Sequence, residues 1–466
     1  MLPIRIAKTA ATAGYSKTLA RNGGKIASAV VMNKKVLINN TSYFRQQITH
    51  PDSAVPQKTL DTIERFNKYT LNTYSRPDIM FTHGKGSYIY DTADRKYLDF
   101  TAGIAVNALG HSDEEVANVL FEQAKKLVHC SNLYHNENTG LLAEALVTTT
   151  VEQGGFDASK VFLSNSGTES NEGALKFGRK WGKVVDPSGK KHKIVSFTNA
   201  FHGRSMGALS ATYNPKYQKP FAPLIPGFNV GEFNNVEQVK SLIDDDTCAV
   251  IVEPIQGEGG VHPAKKEFLE ALRKECDEHN ALLIFDEIQC GLGRTGKLWA
   301  HQLYNEACRP DILTMAKPLA NGIPIGAILI TERVADVVKI GDHGTTFGGN
   351  PLATAVALSV FNRLSNPQFL NQVEKTGQVL KQGLEKIQTA HPQLVKEVRG
   401  NGMLIGMEFV KDPTPVVKMA RERGLLVITA GSNTVRIVPS LTLTEAEAQE
   451  GLSKLQAAVQ QFSEEQ

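Results

Sequence analysis

The 466-residue sequence predicts an α/β protein, with a mostly parallel sheet covered by helices in a large domain and a smaller α+β domain after it. Three observations carry that expectation. Short uninterrupted apolar runs recur from Ser159 onward, each followed by a turn and a helical pattern, which is the texture of βαβ units. The runs lack polar alternation, so both faces of the sheet must be covered. After Asn350 the order inverts, with helical patterns first and strands later.

The buried strands are expected at residues 161–164, 194–197, 248–252, 282–285, 312–315 and 326–330, each a short and largely apolar run. Past Asn350, helices are expected at 351–364 and 369–389, strands near 402–409 and 435–437, and a terminal helix from Thr444. Hairpin-like pieces between Met80 and Phe100 are expected to pack on this last part. The expected divisions are an arm over 1–55, an N-terminal segment over 56–100, a large domain over 101–350 and a small one over 351–466.

Composition removes several classes of protein. Hydrophobic residues at 41% and charged residues at 21% sit near globular averages, which excludes wholesale disorder, collagen and coiled coil. No apolar run approaches the roughly 18 residues of a membrane span. A net charge of +3 is too small to argue for a nucleic-acid partner.

The charge is unevenly spread. Residues 1–51 hold eight of the 51 basic side chains and no acidic one, and the first carboxylate is Asp52. The remainder is mildly acidic. A basic, acid-free start rich in Ser, Thr and Ala reads as an organelle transit peptide, the mitochondrial matrix being the expected destination. The plainer alternative is an ordinary disordered arm. The five cysteines (Cys130, Cys248, Cys276, Cys290 and Cys308) are odd in number and form no C-x-x-C pair. Neither a disulfide framework nor a structural metal site is expected, and a reducing interior fits best.

Three segments could carry chemistry. At Val161-Phe-Leu-Ser-Asn-Ser166-Gly167-Thr168 an apolar strand passes straight into a helix, whose free N–H groups suit a phosphate. The same residues would also serve as a simple N-cap. At Leu282-Leu-Ile-Phe-Asp286-Glu-Ile-Gln289 an acid closes a buried strand, the place where open α/β sheets bind ligands. It could equally just begin a turn. At Ile312-Leu-Thr-Met-Ala-Lys317-Pro-Leu-Ala-Asn-Gly a lysine closes another strand, in apolar surroundings that favour the neutral amine needed for Schiff-base chemistry. Gly291-Leu-Gly293-Arg-Thr-Gly296 matches the dinucleotide pattern by letter, but Asp286–Cys290 separate it from the strand and no acid follows at the required distance. It reads as a glycine-rich loop.

Taken in order, Ser166-Gly-Thr-Glu, Phe201-His-Gly-Arg204, Glu253-Pro-Ile-Gln-Gly-Glu258, Asp286-Glu-Ile-Gln289, Lys317 and Gly344-Thr-Thr-Phe-Gly-Gly-Asn-Pro351 resemble the class III aminotransferases among the fold-type I pyridoxal-phosphate enzymes. Asp99-Phe-Thr-Ala-Gly-Ile-Ala-Val-Asn107, Leu109-Gly-His111 and Ser131-Asn-Leu-Tyr134 are similar to the branch that acts on N-acetylornithine rather than on free ornithine. Ser170 and Gly173 stand where that family usually has alanine, and Ser112-Asp-Glu replaces a His-Pro pair.

The resemblance implies roles. Lys317 would hold pyridoxal 5'-phosphate covalently and later move the proton. Asp286 would keep the pyridine nitrogen protonated. Ser166, Gly167 and Thr168 would bind the phosphate, Phe201 would stack on the ring, and Gln289 would contact its phenolic oxygen. Thr346 would reach the phosphate from the other subunit of a homodimer with shared active sites, and Thr345 would contact substrate. Arg204 would hold the remote carboxylate of either substrate and Arg436 the α-carboxylate of glutamate, with Glu258 covering Arg436 at other times. The implied reaction moves the distal amine of N-acetylornithine to 2-oxoglutarate, giving N-acetylglutamate semialdehyde and glutamate, a step of arginine biosynthesis. An ornithine or other ω-amino acid aminotransferase and a catalytically silent relative are the alternatives.

Overall fold

The computed structural model describes residues 48–466, so most of the expected basic arm lies outside the described residues. Its last part does not. Thr49 and His50 donate their backbone N–H groups to the Glu422 carbonyl. Asp52 forms a two-point ion pair with Arg421, at 3.1 and 2.6 Å. The first carboxylate of the sequence is thus tied to the described fold.

The centre is a seven-stranded sheet. Its strands are β1 (Ala158–Ser164), β2 (Lys193–Phe197), β3 (Phe228–Gly231), β4 (Thr247–Val252), β5 (Leu282–Asp286), β6 (Ile312–Met315) and β7 (Gly326–Thr331). They lie in the order β1-β7-β6-β5-β4-β2-β3. β7 is antiparallel to both neighbours and every other pairing is parallel, so β1 to β6 all run the same way. The α/β expectation holds. β3 was not foreseen: it pairs on one side only and is half-buried along most of its length.

The apolar runs are explained by what covers them. Ala249, Ile251, Leu282, Ile284, Ile312 and Ile328 pack under helix α1 (Gly167–Val185) through Ala174, Leu175 and Phe177. The alternate residues Val250, Val252, Leu283 and Phe285 pack under α2 (Lys266–Glu278) through Phe268, Leu269, Leu272 and Cys276. Burying each such side chain contributes about 1.5–3 kcal/mol, and both faces gain it.

The remaining elements form around the chain ends. Phe81–Lys85, Tyr88–Asp91 and Lys96–Asp99 make a meander whose last strand pairs in parallel with Leu425–Leu426. A second antiparallel sheet holds Val395–Asn401, Leu404–Phe409, Thr434–Ile437 and Ile428–Ala430 in that order. Helices α3 (Pro351–Leu364), α4 (Pro367–Ala390) and α5 (Glu445–Glu464) share one core with both sheets. The glycine-rich loop is structural. It buries Arg294 completely, and the guanidinium donates to the carbonyls of Met403 and Pro439. No helix among the described residues is long and apolar enough to cross a membrane.

Candidate active site

Because β1 to β6 run one way, their carboxyl ends share one edge of the sheet. Asp286 closes β5, Lys317 follows β6, the Ser166 turn follows β1, and Glu253 follows β4. A cavity of about 260 Å³ lies there, lined by Thr168, Phe201, Glu253, Asp286, Gln289 and Lys317 among others. Open α/β sheets bind ligands at this edge because strand ends and helix starts converge on it.

Asp286 is 3% exposed and fully engaged. Its Oδ1 accepts the Ile288 N–H at 3.0 Å. Its Oδ2 accepts Asn171 Nδ2 and His202 Nδ1, each at 2.8 Å. The contact with a carboxylate puts a proton on His202 Nδ1, while Nε2 is buried with no partner among the described residues. Asn171 ties the group together: Nδ2 also donates to the His202 carbonyl at 2.7 Å, and Oδ1 accepts the Thr314 hydroxyl at 2.8 Å. The carboxylate is held in one orientation from three elements.

Lys317 opens a short 3-10 turn, Lys317–Ala320. Burial pushes its amine below the ordinary lysine value, helped by the Arg436 charge and opposed by Asp286, Glu253 and Glu258. A neutral amine is the nucleophilic form.

The Ser166 hydroxyl accepts the Glu169 N–H at 3.3 Å, so the side chain serves as the α1 N-cap, and the next two residues, Gly167 and Thr168, line the cavity. A Cβ on Gly167 would come within 2.9 Å of Ile288 Cγ2. Gly203 has φ +139°, and a Cβ there would sit 2.3 Å from Thr168 Oγ1. Glycine at both positions keeps the turn open. The Thr168 hydroxyl is 2.6 Å from Ser205 Oγ.

Arg436, 1% exposed, projects from Thr434–Ile437 toward the same edge. It donates to Gln289 Oε1 and to Glu258 Oε2, both at 2.9 Å. Glu258 thus sits on Arg436 as an ion pair. Arg204 is exposed, pairs with no carboxylate among the described residues, and stacks its guanidinium 3.6 Å from the centre of the Tyr217 ring. Thr345 and Thr346 do not line the cavity. Thr345 Oγ1 accepts Asn165 Nδ2 at 3.0 Å, and Thr346 is exposed.

Four residues at the site had been given no role. Glu253 and His202 stood in segments already singled out, and Glu253 closes an apolar strand just as Asp286 does, so the signal was there. Asn171 and Tyr217 gave none, because their meaning lies in tertiary contacts. Glu253 accepts the N–H groups of Phe201 at 3.0 Å and Gly257 at 3.1 Å. Burial, then the Asp286 charge, pushes its carboxyl up to about 7. The folded state therefore binds more protons than the unfolded one between about 4.3 and 7, and stability falls as pH rises through that window. Denaturant unfolding of the cofactor-free protein should show Glu253→Gln gaining on the wild type from pH 4.5 to 7, with no further gain above; a pH-independent difference contradicts this.

This donor set suits pyridoxal 5'-phosphate. Helix N–H groups await a phosphate, an oriented carboxylate awaits a protonated ring nitrogen, and a buried amine awaits an aldehyde. The class so defined is a fold-type I pyridoxal-phosphate enzyme.

The comparisons with known proteins sharpen this. The family described as "Aminotransferase class-III" matches residues 70–459. The mitochondrial acetylornithine aminotransferase of Neurospora crassa is 56% identical over 411 residues, covering 88% of this chain and 89% of that protein. That of Saccharomyces cerevisiae is 47% identical over 415 residues, covering 88% and 98%. Among solved structures, the ornithine aminotransferase of Toxoplasma gondii superposes with a TM-score of 0.81 at 32% identity, covering 88% of this chain and 96% of that one. The N-acetylornithine aminotransferase of Stenotrophomonas maltophilia gives 0.73 at 36%, covering 87% and 100%. This chain belongs to the class-III aminotransferase family.

Proposed function

We propose that this protein transfers the distal amino group of N-acetylornithine to 2-oxoglutarate, in the mitochondrial matrix, as a homodimer. The carrying observation is the Glu258–Arg436 pair, tied through Gln289 to the cavity that holds Lys317, Asp286 and a second cation, Arg204, which has no carboxylate partner among the described residues. Two substrates must share this site. Glutamate brings two carboxylates, whereas acetylornithine reacts at an amine with no carboxylate beside it. Arg204 grips the carboxylate that both substrates carry far from the reacting carbon. Arg436 receives the second carboxylate of glutamate after Glu258 swings away, and Glu258 returns when acetylornithine binds, so no buried charge stands alone.

Pyridoxal phosphate, when bound, supplies an electron sink for the pair left on the substrate carbon. Asp286 would hold the ring-nitrogen proton, the Ser166-Gly167-Thr168 turn would hold the phosphate, Phe201 would pack on the ring face, and Gln289 would contact the phenolic oxygen. Lys317 Nζ takes the proton from the substrate carbon and returns it one step later.

The dimer is supported by an exposed apolar patch. Leu133 (87% exposed), Tyr134 and Phe347 are uncovered, and Asn132 binds their two loops together by donating to the Thr345 and Gly348 carbonyls. Thr346 stands on that patch, where a partner would meet it. The names of the N. crassa and S. cerevisiae relatives support both the substrate and the mitochondrial address.

Steady-state kinetics over a panel of amino donors with 2-oxoglutarate tests the substrate; a strong preference for free ornithine contradicts the reading. Glu258→Gln tests the cover. With Arg436 no longer neutralised, the acetylornithine half-reaction should slow by about tenfold while the KM for glutamate falls. Single-turnover measurements of each half-reaction decide this, and two unchanged half-reactions would remove the switch.

A further inference from the structure

A second cavity, of about 430 Å³, adjoins the first, with Phe201 lining both. Tyr217, Glu258, Asn199, Ser432 and Asn433 are among its other walls. We propose that it receives the acyl group of the amino donor, which makes it the place where an acylated substrate is told from a free one. The inference rests on the reading of Arg204 as the holder of the remote carboxylate.

Connectivity leads from one cavity to the other. In an Nα-acyl amino acid the carboxylate carbon and the acylated nitrogen are bonded to the same carbon, so they lie about 2.5 Å apart. A carboxylate on Arg204 therefore brings the acylamino group directly beside the guanidinium. The chain bearing the reactive amine must run toward Lys317, and the acyl group must point elsewhere. Arg204 lies on the face of Tyr217, and Tyr217 walls the second cavity. The space beside the carboxylate and away from Lys317 is this cavity.

Its walls match a secondary amide. The side-chain amides of Asn199 and Asn433 make no hydrogen bond within the described chain, and each offers a donor and an acceptor. An acylamino group presents one N–H and one C=O in return. The charges nearby are already committed. Glu258 is on Arg436, and Arg399 is bound by Glu397, Glu408 and the Gly260 and Val261 carbonyls. Glutamate has no acyl group and makes no use of this space.

Ser432 is exposed in the turn at the cavity wall, so Ser432→Trp fills the space without touching the core. Each half-reaction is measured by single turnover in the holoenzyme. The acetylornithine-to-glutamate ratio of kcat/KM should fall at least about tenfold in Ser432→Trp, and about threefold in Asn433→Ala. The wild type should use N-butanoylornithine within about tenfold of the acetyl compound, and Ser432→Trp should widen that gap. An unchanged ratio in both variants, or a wild type that rejects the butanoyl compound, overturns the inference. A wild type that does not turn over acetylornithine overturns the proposed function instead, and this inference with it, which the ratios alone cannot do.

Discussion

Replacing Lys317 with alanine should abolish transamination, lowering kcat by about 10⁴-fold or more, because the amine both attaches the cofactor and carries the proton. The loss should appear in both half-reactions equally, since the same Nζ serves both. The spectrum should change as well: cofactor added to the variant should lack the absorbance of the lysine-linked form. Folding should survive. Burial already opposes the charged amine, so the folded chain gives up a penalty when Lys317 goes. The sign can be checked independently. A lysine depressed in the folded state leaves the unfolded state with more protons below about 10.4, so the cofactor-free wild type gains stability as pH rises toward that value. Lys317→Met should be the more stable protein at neutral pH, with the difference shrinking as the solution becomes alkaline. Substantial activity in Lys317→Ala would mean that another amine does the chemistry.

Asp286→Asn should be the next most damaging change. Its shape is nearly conserved, but the negative charge facing the ring nitrogen is gone. Loss of one oriented electrostatic group at a reacting centre costs about 3–4 kcal/mol, or roughly 10²–10³-fold in kcat. Cofactor affinity should fall too. Asp286→Ala goes further: Asn171 Nδ2, His202 Nδ1 and the Ile288 N–H all lose their acceptor. Each buried donor left bare costs about 1–3 kcal/mol, so a lower unfolding midpoint should accompany the lower rate. Asparagine keeps one of the two acceptor oxygens, so Asp286→Asn removes the charge with part of the scaffold and Asp286→Ala removes both whole. Full activity in Asp286→Asn would refute the assigned role.

The parts of the fold legible in the sequence are those covered on both faces. Thr247–Val252 and Leu282–Asp286 are buried at every residue, so their composition alone marks them. Val395–Asn401 escapes notice because it is an edge strand, with Lys396 and Glu397 exposed. Phe228–Gly231 escapes for the same reason on the large sheet. The site follows a similar rule. Asp286 and Lys317 are polar residues that end apolar runs, an oddity a linear reading can register. Tyr217 is an ordinary tyrosine in a short helix until Arg204 is found lying on it. Asn171 looks like any polar residue of an amphipathic helix until the fold brings it to Asp286. Ser166, expected at the phosphate, also accepts the Glu169 N–H at the helix start, a second role its place in the sequence allowed.

The position of β1 has a consequence for how the molecule is made. β1 lies at the margin of the sheet and pairs with nothing but β7, Ser164 meeting Gly326 across 162 positions of chain. A nascent chain that has not yet reached Thr331 thus carries Val161-Phe162-Leu163 with no hydrogen-bonding neighbour on either side. Such remote pairing is slow, and unpaired apolar strands invite association with other chains in the meantime. The helix that β1 launches can settle earlier on β4, β5 and β6 through Ala174, Leu175 and Phe177, but the strand leading into its Gly167 turn stays unpaired until β7 arrives. The binding apparatus is therefore assembled late, and a chaperone that shelters the early strands would act on the very segment that later receives the cofactor.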